Sequence, residues 1–345
     1  MPSFAHQLIR WQKSHGRHGL PWQGTDDPYR VWLSEIMLQQ TQVATVIPYY
    51  ERFLARFPAL ADLAASPVED VMAIWSGLGY YARARNLHAC ARTVVEAHGG
   101  RFPQEAEIIA RLPGIGRSTA NAIAVFCFGA HAPILDGNVK RVLCRHAGID
   151  GFSGTPAVES RLWRLAESLL PEAGVSTYIQ AQMDLGATVC TRTRPRCESC
   201  PAAGDCIARI EGRIDELPAA RRRKALPERT STVLVLVCEG RVLLEPRPPA
   251  GIWGGLLSLP ELPEGHDPAA HVDYAARLGC RIRSSRALPA VRHGFTHFRL
   301  TLSPLLCEAE ALPRVSEQSQ RWLDGGELAR APLPAPIRKI LSGIP

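Results

Sequence analysis

Four closely spaced cysteines are the residues of this chain best suited to chemistry that single side chains cannot perform. They follow the spacing C-x6-C-x2-C-x5-C, whereas the other six cysteines are scattered singly; the four are Cys190, Cys197, Cys200 and Cys206. Several soft thiolates converging on one point bind an iron–sulfur cluster or a tetrahedral zinc ion. The segment 190–206 is therefore predicted to be a metal-binding loop.

Two other interpretations of these cysteines stay open at this point. Zinc ribbons usually pair two C-x2-C units, and only Cys197 and Cys200 form such a unit. Disulfides are typical of secreted chains, but residues 1–19 show neither the apolar core nor the cleavage site of a secretory signal. Spacing alone therefore favours an iron–sulfur cluster over a zinc ion, and a zinc ion over disulfides.

A second chemical feature is the glycine-bearing segment 112–120, which joins two helical stretches. Gly114 and Gly116 stand at alternate positions in it, just before Ser118. Bare glycine amides can approach an anion closely, and the N-terminus of the next helix adds favourable partial charge. The segment is predicted to hold a DNA phosphate, with a tight packing turn as the structural alternative.

Asp136 follows this hairpin by about twenty residues, in the sequence Leu135-Asp136-Gly137-Asn138. An aspartate there is predicted to cap the next helix and to face whatever the hairpin holds. Taken by itself, such a residue is more often only a helix cap.

The sequence around these residues shows two patterns of secondary structure, one helical and one strand-like. From residue 4 to about 207, apolar residues recur at helical spacing, with a cap-and-proline helix start at Asp27-Pro28. Further helices are predicted at 43–56, 68–75, 82–97, 105–112, 118–126, 139–147, 157–170 and 176–189. Strand-like runs begin at Thr232 and recur near 241, 254 and 298. An all-α domain over 1–213, a linker at 214–228 and an α+β domain over 229–345 are predicted.

Length and charge narrow the class of protein. The chain has 345 residues, 46% of them apolar, which is enough for two packed domains. No apolar run approaches the roughly 18 residues of a membrane span, so a soluble, cytoplasmic or nucleoid-associated protein is expected. The net charge of +7 favours a polyanionic partner. Arginines cluster at 80–87, 191–196 and 221–224, although such runs are often only solvated surface.

Together, the hairpin, the later aspartate and the four-cysteine loop resemble the helix-hairpin-helix DNA glycosylases. Two longer motifs sharpen the resemblance to adenine DNA glycosylases of the MutY type: WLSEIMLQQTQV at 32–43 and GLGYYARARNL at 77–87. The match covers residues 1 to about 210. It implies that the four cysteines hold a [4Fe–4S] cluster rather than zinc.

The resemblance also implies roles for two carboxyl groups that would break an N-glycosidic bond. Glu35 would protonate N7 of a flipped-out adenine, and Asp136 would face C1′ of the deoxyribose. Apolar neighbours should raise the pKa of Glu35, whereas Asp136 at a helix N-terminus should stay ionised. Asn138 is expected to orient a carboxylate or a water. The alternative is that Glu35 is an ordinary exposed glutamate on a helix, without a catalytic role.

The DNA contacts implied by the resemblance lie on three segments. Gln40 and Tyr80 are the residues expected to fill the gap left by the extruded base. Backbone phosphates would be met by Arg83, Arg85, Gly114, Gly116 and Ser118. Ser118 also stands where bifunctional relatives carry a Schiff-base lysine, so the expected product is an abasic site without efficient strand cleavage.

The second domain resembles the Nudix-like domain of the same family, which reads 8-oxoguanine opposite the adenine. The lesion-reading stretch corresponds to Phe295, Thr296 and His297, with threonine where the family has serine. Hydrolase activity is not expected, because Glu261 and Glu264 lack the glutamate pattern that holds magnesium.

The sequence thus predicts a monofunctional adenine DNA glycosylase of base-excision repair, acting on double-stranded DNA with A·8-oxoguanine or A·G mispairs. An endonuclease III-like pyrimidine glycosylase/lyase is one rival, disfavoured by Ser118 and by the second domain. A non-catalytic DNA-binding module is the other, disfavoured by Glu35 together with Asp136. A monomer is the default, since an asymmetric lesion does not require symmetry.

Overall fold

The computed structural model describes residues 3–221, 225–248, 251–263, 270–312 and 320–344. Most of the basic run 221–224 and the predicted Glu264 lie outside these residues. The chain divides into two compact units, one formed by residues 1–65 and 89–223 and the other by 66–88 and 224–345.

The N-terminal two thirds of the chain is helical, as its apolar periodicity predicts. Twelve helices occur there in the described residues: α1 (Phe4–His15), α2 (Pro28–Leu38), α3 (Val43–Arg56), α4 (Leu60–Ala65), α5 (Val68–Trp75), α6 (Ala82–His98), α7 (Ala106–Ile109), α8 (Arg117–Phe128), α9 (Gly137–His146), α10 (Pro156–Ser168), α11 (Val175–Thr188) and α12 (Ile207–Ile210). Short 3₁₀ turns at Cys197–Ser199 and Ala203–Asp205 interrupt the cysteine loop.

One apolar core of the first unit is shared by α1, α8, α9, α10 and α11. Leu8, Val139, Leu143, Ile179 and Leu185 are buried in it almost completely. Burying an aliphatic side chain of this kind contributes about 1.5–3 kcal/mol. This core therefore fixes α9, which Asp136 caps, against α11, which leads to Cys190.

The second unit contains a mixed sheet. Its strands in the described residues are β1 (Glu228–Cys238), β2 (Arg241–Pro246), β3 (Leu257–Ser258), β4 (Cys280–Ala287), β5 (Val291–Gly294), β6 (Arg299–Ala311) and β7 (Arg321–Leu323). The order is β3-β2-β1-β6-β4, with β5 paired to β6 and β7 to β2. β1 and β6 run parallel, and the other pairs are antiparallel. Helices α13 (His271–Arg277), α14 (Gly325–Arg330) and α15 (Ala335–Leu341) accompany it. The predicted α+β class is confirmed.

The segment 66–88 groups with the second unit, although the sequence pattern assigned it to the first domain. Arg85 Nη1 donates to the carbonyl of Gly254 at 2.5 Å, and Ser76 Oγ donates to that of Leu333 at 3.0 Å. The partners in these two hydrogen bonds are 169 and 257 residues apart, so the periodicity of a short stretch of sequence cannot predict them. The boundaries at 213 and 229 remain predictions.

Two predicted elements are shorter than expected. The strand predicted near 254–259 is limited to Leu257–Ser258, because Trp253 and Gly255 have positive φ angles of 52° and 76°. The helix predicted over 105–112 covers only Ala106–Ile109 before the hairpin begins. No helix of the described residues has the length and apolar character needed to cross a membrane.

Candidate active site and cysteine loop

Glu35 projects from a helix that is buried on most of its surface. Asp27 caps α2 by accepting a hydrogen bond from the Tyr29 backbone at 2.9 Å, and Pro28 occupies the first turn. Neighbours of Glu35 in the helix are buried, including Trp32, Leu33, Ile36 and Met37. Most of α2 therefore serves to hold one carboxyl group in an apolar environment.

The pKa of Glu35 is raised to about 7, first by desolvation and then by the negative charge of Asp136. Desolvation disfavours the ionised carboxylate, and a nearby like charge adds to that effect. The predicted direction of the shift for Glu35 thus agrees with the structure. A carboxyl group with this pKa is poised to give up a proton near neutral pH.

Asp136 is the N-cap of α9, as predicted, and its Oδ1 accepts from the Val139 backbone at 2.7 Å. Its pKa is nevertheless raised, because desolvation outweighs the hydrogen bonds from the backbones of Val139 and Asn138 and the charges of Arg141 and Lys140. That Asp136 stays ionised near neutral pH remains a prediction, because burial opposes the helix terminus on which it was based. These four contributions still favour ionisation of Asp136.

A cavity of about 790 Å³ opens beside Glu35 within the first unit. The loop 17–26, α2 and α11 supply most of its wall, which includes Arg17, Trp22, Gln23, Glu35, Phe126 and Gln180. A volume of this size is typical of small-molecule sites. Sequence patterns pointed to only one of these lining residues, Glu35, and the signal for the loop was the glycine- and tryptophan-bearing stretch before Asp27.

The glycine hairpin opens α8, whose Ser118 contacts the residue before Asp136. Gly114 has a φ of 75°, Gly116 is the N-cap of α8, and both are exposed, whereas Ile115 between them is buried. The hairpin thus presents backbone to solvent at a helix N-terminus, the arrangement that binds phosphates. Within α8, Ser118 Oγ accepts a hydrogen bond from the Leu135 backbone at 3.0 Å.

Asn138 contacts the neighbourhood of Asp136 through its backbone rather than through its amide. Its Oδ1 accepts from Arg141 Nη2 at 2.9 Å, and Arg141 Nη2 and Nε also donate to the carbonyls of Gly186 and Cys190. A Cβ at Gly186 would lie 2.6 Å from that of Asn138, so glycine is required there. Asn138, on α9, is thereby held against the end of α11.

Gln40 and Tyr80 adopt the same unusual backbone conformation. Their φ angles are 57° and 49°, and both side chains are exposed, Tyr80 by 49%. Non-glycine residues rarely occupy this region, and strain of this kind clusters at functional sites. The structure thus presents each predicted base-replacing side chain on a strained turn.

Arg83 and Arg85 donate hydrogen bonds to backbone carbonyls of the second unit. Arg83 Nη2 donates to the Gly79 carbonyl at 3.3 Å, its guanidinium lies 5.5 Å from the centre of the Tyr80 ring, and burial lowers its pKa to about 10. Arg85 binds the Gly254 carbonyl. Both guanidinium groups are half-buried on backbone carbonyls, and their contacts with phosphates remain a prediction.

The four predicted ligand cysteines converge. Cys190 follows α11, Cys206 precedes α12, and all four line one pocket: Cys190, Cys197, Cys200 and Cys206. Arg145, buried and only 3% exposed, donates to Cys190 Sγ at 3.4 Å and to the carbonyls of Thr191 and Leu217. Nowhere in the described ranges are three His, Cys, Asp or Glu residues close enough to bind a single metal ion.

The predicted lesion-reading stretch is a turn between β5 and β6. The Phe295 backbone donates to the Phe298 carbonyl at 2.9 Å, and their rings stack with centroids 4.4 Å apart. Thr296 and His297 between them are exposed. Elsewhere in this unit, Ser231 and Arg247 both bind the carboxylate of Glu261.

Residues 33–168 match the HhH-GPD superfamily of base excision DNA repair proteins, and residues 232–343 match the NUDIX domain. The fold of the helical part is also that of a thermostable thymine-DNA glycosylase, with a TM-score of 0.56 and 29% identity over 60% of this chain and 95% of that chain. An endonuclease III–DNA complex shows the same fold, with a TM-score of 0.52 and 21% identity over 60% of this chain and 94% of that chain. Fold and site thus define a DNA glycosylase of the helix-hairpin-helix superfamily.

Relatives that match almost the whole chain identify its family within this superfamily. The adenine DNA glycosylase of Buchnera aphidicola is 35% identical over 98% of this chain and 96% of its own length. The human adenine DNA glycosylase is 34% identical over 98% of this chain and 73% of its own length. The chain therefore belongs to the adenine DNA glycosylase family, and it is a base-excision repair enzyme, as the sequence predicted.

Proposed function

We propose that this enzyme is a monofunctional glycosylase that hydrolyses the N-glycosidic bond of adenine mispaired with 8-oxoguanine or guanine. The observation that carries the proposal is a glutamate with a pKa of about 7 that lines a cavity large enough to admit a base and interacts electrostatically with Asp136. Glycosidic cleavage requires one carboxyl group that keeps its proton near neutral pH and a second, ionised one that stabilises the cationic sugar.

In the proposed mechanism, the adenine enters the cavity and Glu35 gives its proton to N7. The bond between C1′ and N9 then breaks, and its electron pair stays with the adenine. Asp136 stabilises the positive charge that develops on the sugar. A water adds to C1′, its proton returns to Glu35, and the products are free adenine and an abasic site.

Two contacts support a hydrolytic rather than a lyase reaction. Ser118 offers a hydroxyl where a Schiff-base amine would be needed, and that hydroxyl is bonded to Leu135. The nearby Lys140 forms an ion pair with Glu159 at 2.6 Å. A paired, protonated amine is a poor nucleophile, so efficient β-elimination is not expected.

DNA is the proposed partner of both the hairpin and the strained turns. Gly114 and Gly116 would approach a phosphate, while Gln40 and Tyr80 would occupy the space of the extruded base. Arg83 would act indirectly, by holding Tyr80. The enzyme is proposed to act at the nucleoid as a monomer.

A [4Fe–4S] cluster fits the cysteine loop. Four soft thiol donors line one pocket, the donor set that thiolate-bound iron–sulfur clusters use, and only Cys197 and Cys200 form the C-x2-C unit that zinc ribbons pair twice. Cys190, Cys197, Cys200 and Cys206 would hold it, and it would cross-link the loop without taking part in hydrolysis. The exposed Arg192 and Arg194 extend from the same loop.

The turn 295–298 is proposed to read the base opposite the adenine. Thr296 and His297 are exposed on a turn whose two ends are joined by the stacked Phe295 and Phe298 rings. Their polar groups can hydrogen-bond to 8-oxoguanine.

The decisive experiment is single-turnover release of adenine from a duplex with one A·8-oxoguanine pair, with A·G and A·T duplexes alongside. Release without strand cleavage supports the proposal. A further duplex with one oxidised pyrimidine tests the lyase alternative, which release of that pyrimidine with strand cleavage would support. Binding without release of any base would support a non-catalytic module.

A further inference from the structure

We propose that Asp184 is a positioning residue that fixes the part of the base-cavity wall formed by the loop 17–26 and α11. The inference rests on the proposed use of that cavity, but it concerns a residue that does not line it. Asp184 lies on α11, one turn beyond Gln180, and its side chain is completely buried.

Three donors converge on the Asp184 carboxylate. The backbone of Arg17 donates to Oδ2 at 2.9 Å, Arg17 Nε donates to Oδ1 at 2.8 Å, and Gln180 Nε2 donates to Oδ1 at 2.9 Å. A buried charge is tolerated only where hydrogen bonds and an opposite charge replace its hydration. Both the backbone and the side chain of Arg17 are thus held by one group.

Hydrogen bonds within the loop that begins at Arg17 hold it together. Gln23 Oε1 accepts from the Leu20 backbone at 3.0 Å, and Gln23 Nε2 donates to the Arg17 carbonyl at 3.0 Å. His18 Nε2 lies 3.0 Å from the carbonyl of Gln12 at the end of α1. Fixing Arg17 therefore fixes the loop as one piece.

This loop and α11 form the two walls that Asp184 joins. Arg17, Trp22 and Gln23 line the cavity from the loop, and Gln180 and Met183 line it from α11. The loop continues into the cap of α2, which carries Glu35. Asp184 therefore controls where a bound base sits relative to the Glu35 proton, without touching either.

The test compares Asp184→Asn and Arg17→Lys in single turnover with enzyme in excess, which measures the rate per bound complex. Asp184→Asn replaces one acceptor with a donor, and Arg17→Lys removes the Nε donor from a side chain that is 26% exposed. A displacement of about 1 Å can cost about 10²-fold in rate, so reductions of about 10- to 100-fold are expected for Asp184→Asn and smaller ones for Arg17→Lys.

Three further readouts separate positioning from a merely structural role. Duplex affinity and the pH midpoint of the rate should stay at wild-type values, whereas the rate ratio between adenine and purine lacking the exocyclic amine should change. The double variant should be no slower than Asp184→Asn alone, since both substitutions break one contact. Arg92→Lys, which alters an exposed ion pair with Glu96, is the matched control.

Wild-type single-turnover rates in both variants would overturn the inference, and so would equal slowing for both bases. If Asp184→Asn fails to fold, the single-turnover rates of Arg17→Lys on the two bases test the inference alone. A Glu35→Gln variant in the same assay separates the two levels of argument. An inactive Glu35→Gln with unaffected Arg17→Lys and Asp184→Asn would reject only the role of Asp184, whereas an active Glu35→Gln would reject the proposed use of the cavity.

Discussion

The backbone of Leu135 donates a hydrogen bond to Ser118 Oγ at 3.0 Å, and Leu135 immediately precedes the helix cap Asp136. The hairpin helix α8 and the carboxylate that faces the sugar in our mechanism are thus coupled through one hydroxyl. A phosphate bound at Gly114 and Gly116 would be positioned relative to Asp136 by that bond. Ser118 therefore has a structural role in addition to its lack of an amine.

Replacing Ser118 with lysine should introduce Schiff-base chemistry, because it places an amine beside Asp136. Borohydride trapping of the enzyme on DNA should yield more covalent adduct than the wild type. Ser118→Ala is the control, since it loses the bond to Leu135 without gaining an amine. No additional adduct from folded Ser118→Lys would show that residue 118 does not face the sugar.

Glu35→Gln should bind a mispaired duplex but release adenine about 10²- to 10⁴-fold more slowly, because the amide keeps the shape and cannot donate the proton. Gel-shift affinity and single-turnover rate measured on the same preparation check this. Substantial residual release would assign the acid to another group.

The rate of adenine release should fall as pH rises through about 7, since Glu35 loses its proton there. It should also fall on the acidic side, where Asp136, whose pKa is likewise raised, becomes protonated. A pH profile of single-turnover rates checks both limbs. A rate that is flat between pH 6 and about 8 would contradict the acid role.

The same shift makes a prediction about stability. The pKa of Glu35 is higher in the folded protein than the usual 4.5, so wild-type stability should decrease as pH rises from about 4.5 to about 7. The slope is at most about 1.4 kcal/mol per pH unit. Glu35→Gln should therefore match the wild type in thermal unfolding at low pH and exceed it above neutral pH.

Thr296→Ala combined with His297→Ala should reduce discrimination between A·8-oxoguanine and A·G by about tenfold to thirtyfold, if each lost hydrogen bond contributes on the order of 1 kcal/mol. Point variants are preferable to deleting the second domain, because segment 66–88 packs in the same compact unit. The exposed Asp273→Ala is the surface control. Rates and affinities must be compared at matched salt.

Protein purified without oxygen should contain about four irons per chain, with visible charge-transfer absorption. Replacing Cys197 should lower iron content and thermal stability together. One zinc and no iron in such a preparation would reject the cluster.

Local patterns predicted those parts of the structure that depend on neighbours in sequence. Periodicity located α3 and α5, and Asp27-Pro28 marked the start of α2. Arg17 and Asp184 could not be paired in this way, because 167 residues separate them. The contact between Arg85 and the Gly254 carbonyl could not be predicted either, because 169 residues separate the two partners.

The left-handed turns at Gln40 and Tyr80 have an evolutionary consequence. Each such residue costs on the order of 1 kcal/mol, which glycine would recover. Selection for thermal resistance alone would therefore favour glycine at both positions and erase the side chains proposed to enter the duplex. Gln40 and Tyr80 are expected to be retained only under selection for repair. In a library randomised at both positions, a screen for heat tolerance should enrich glycine, and a screen for mutation suppression should enrich the original residues.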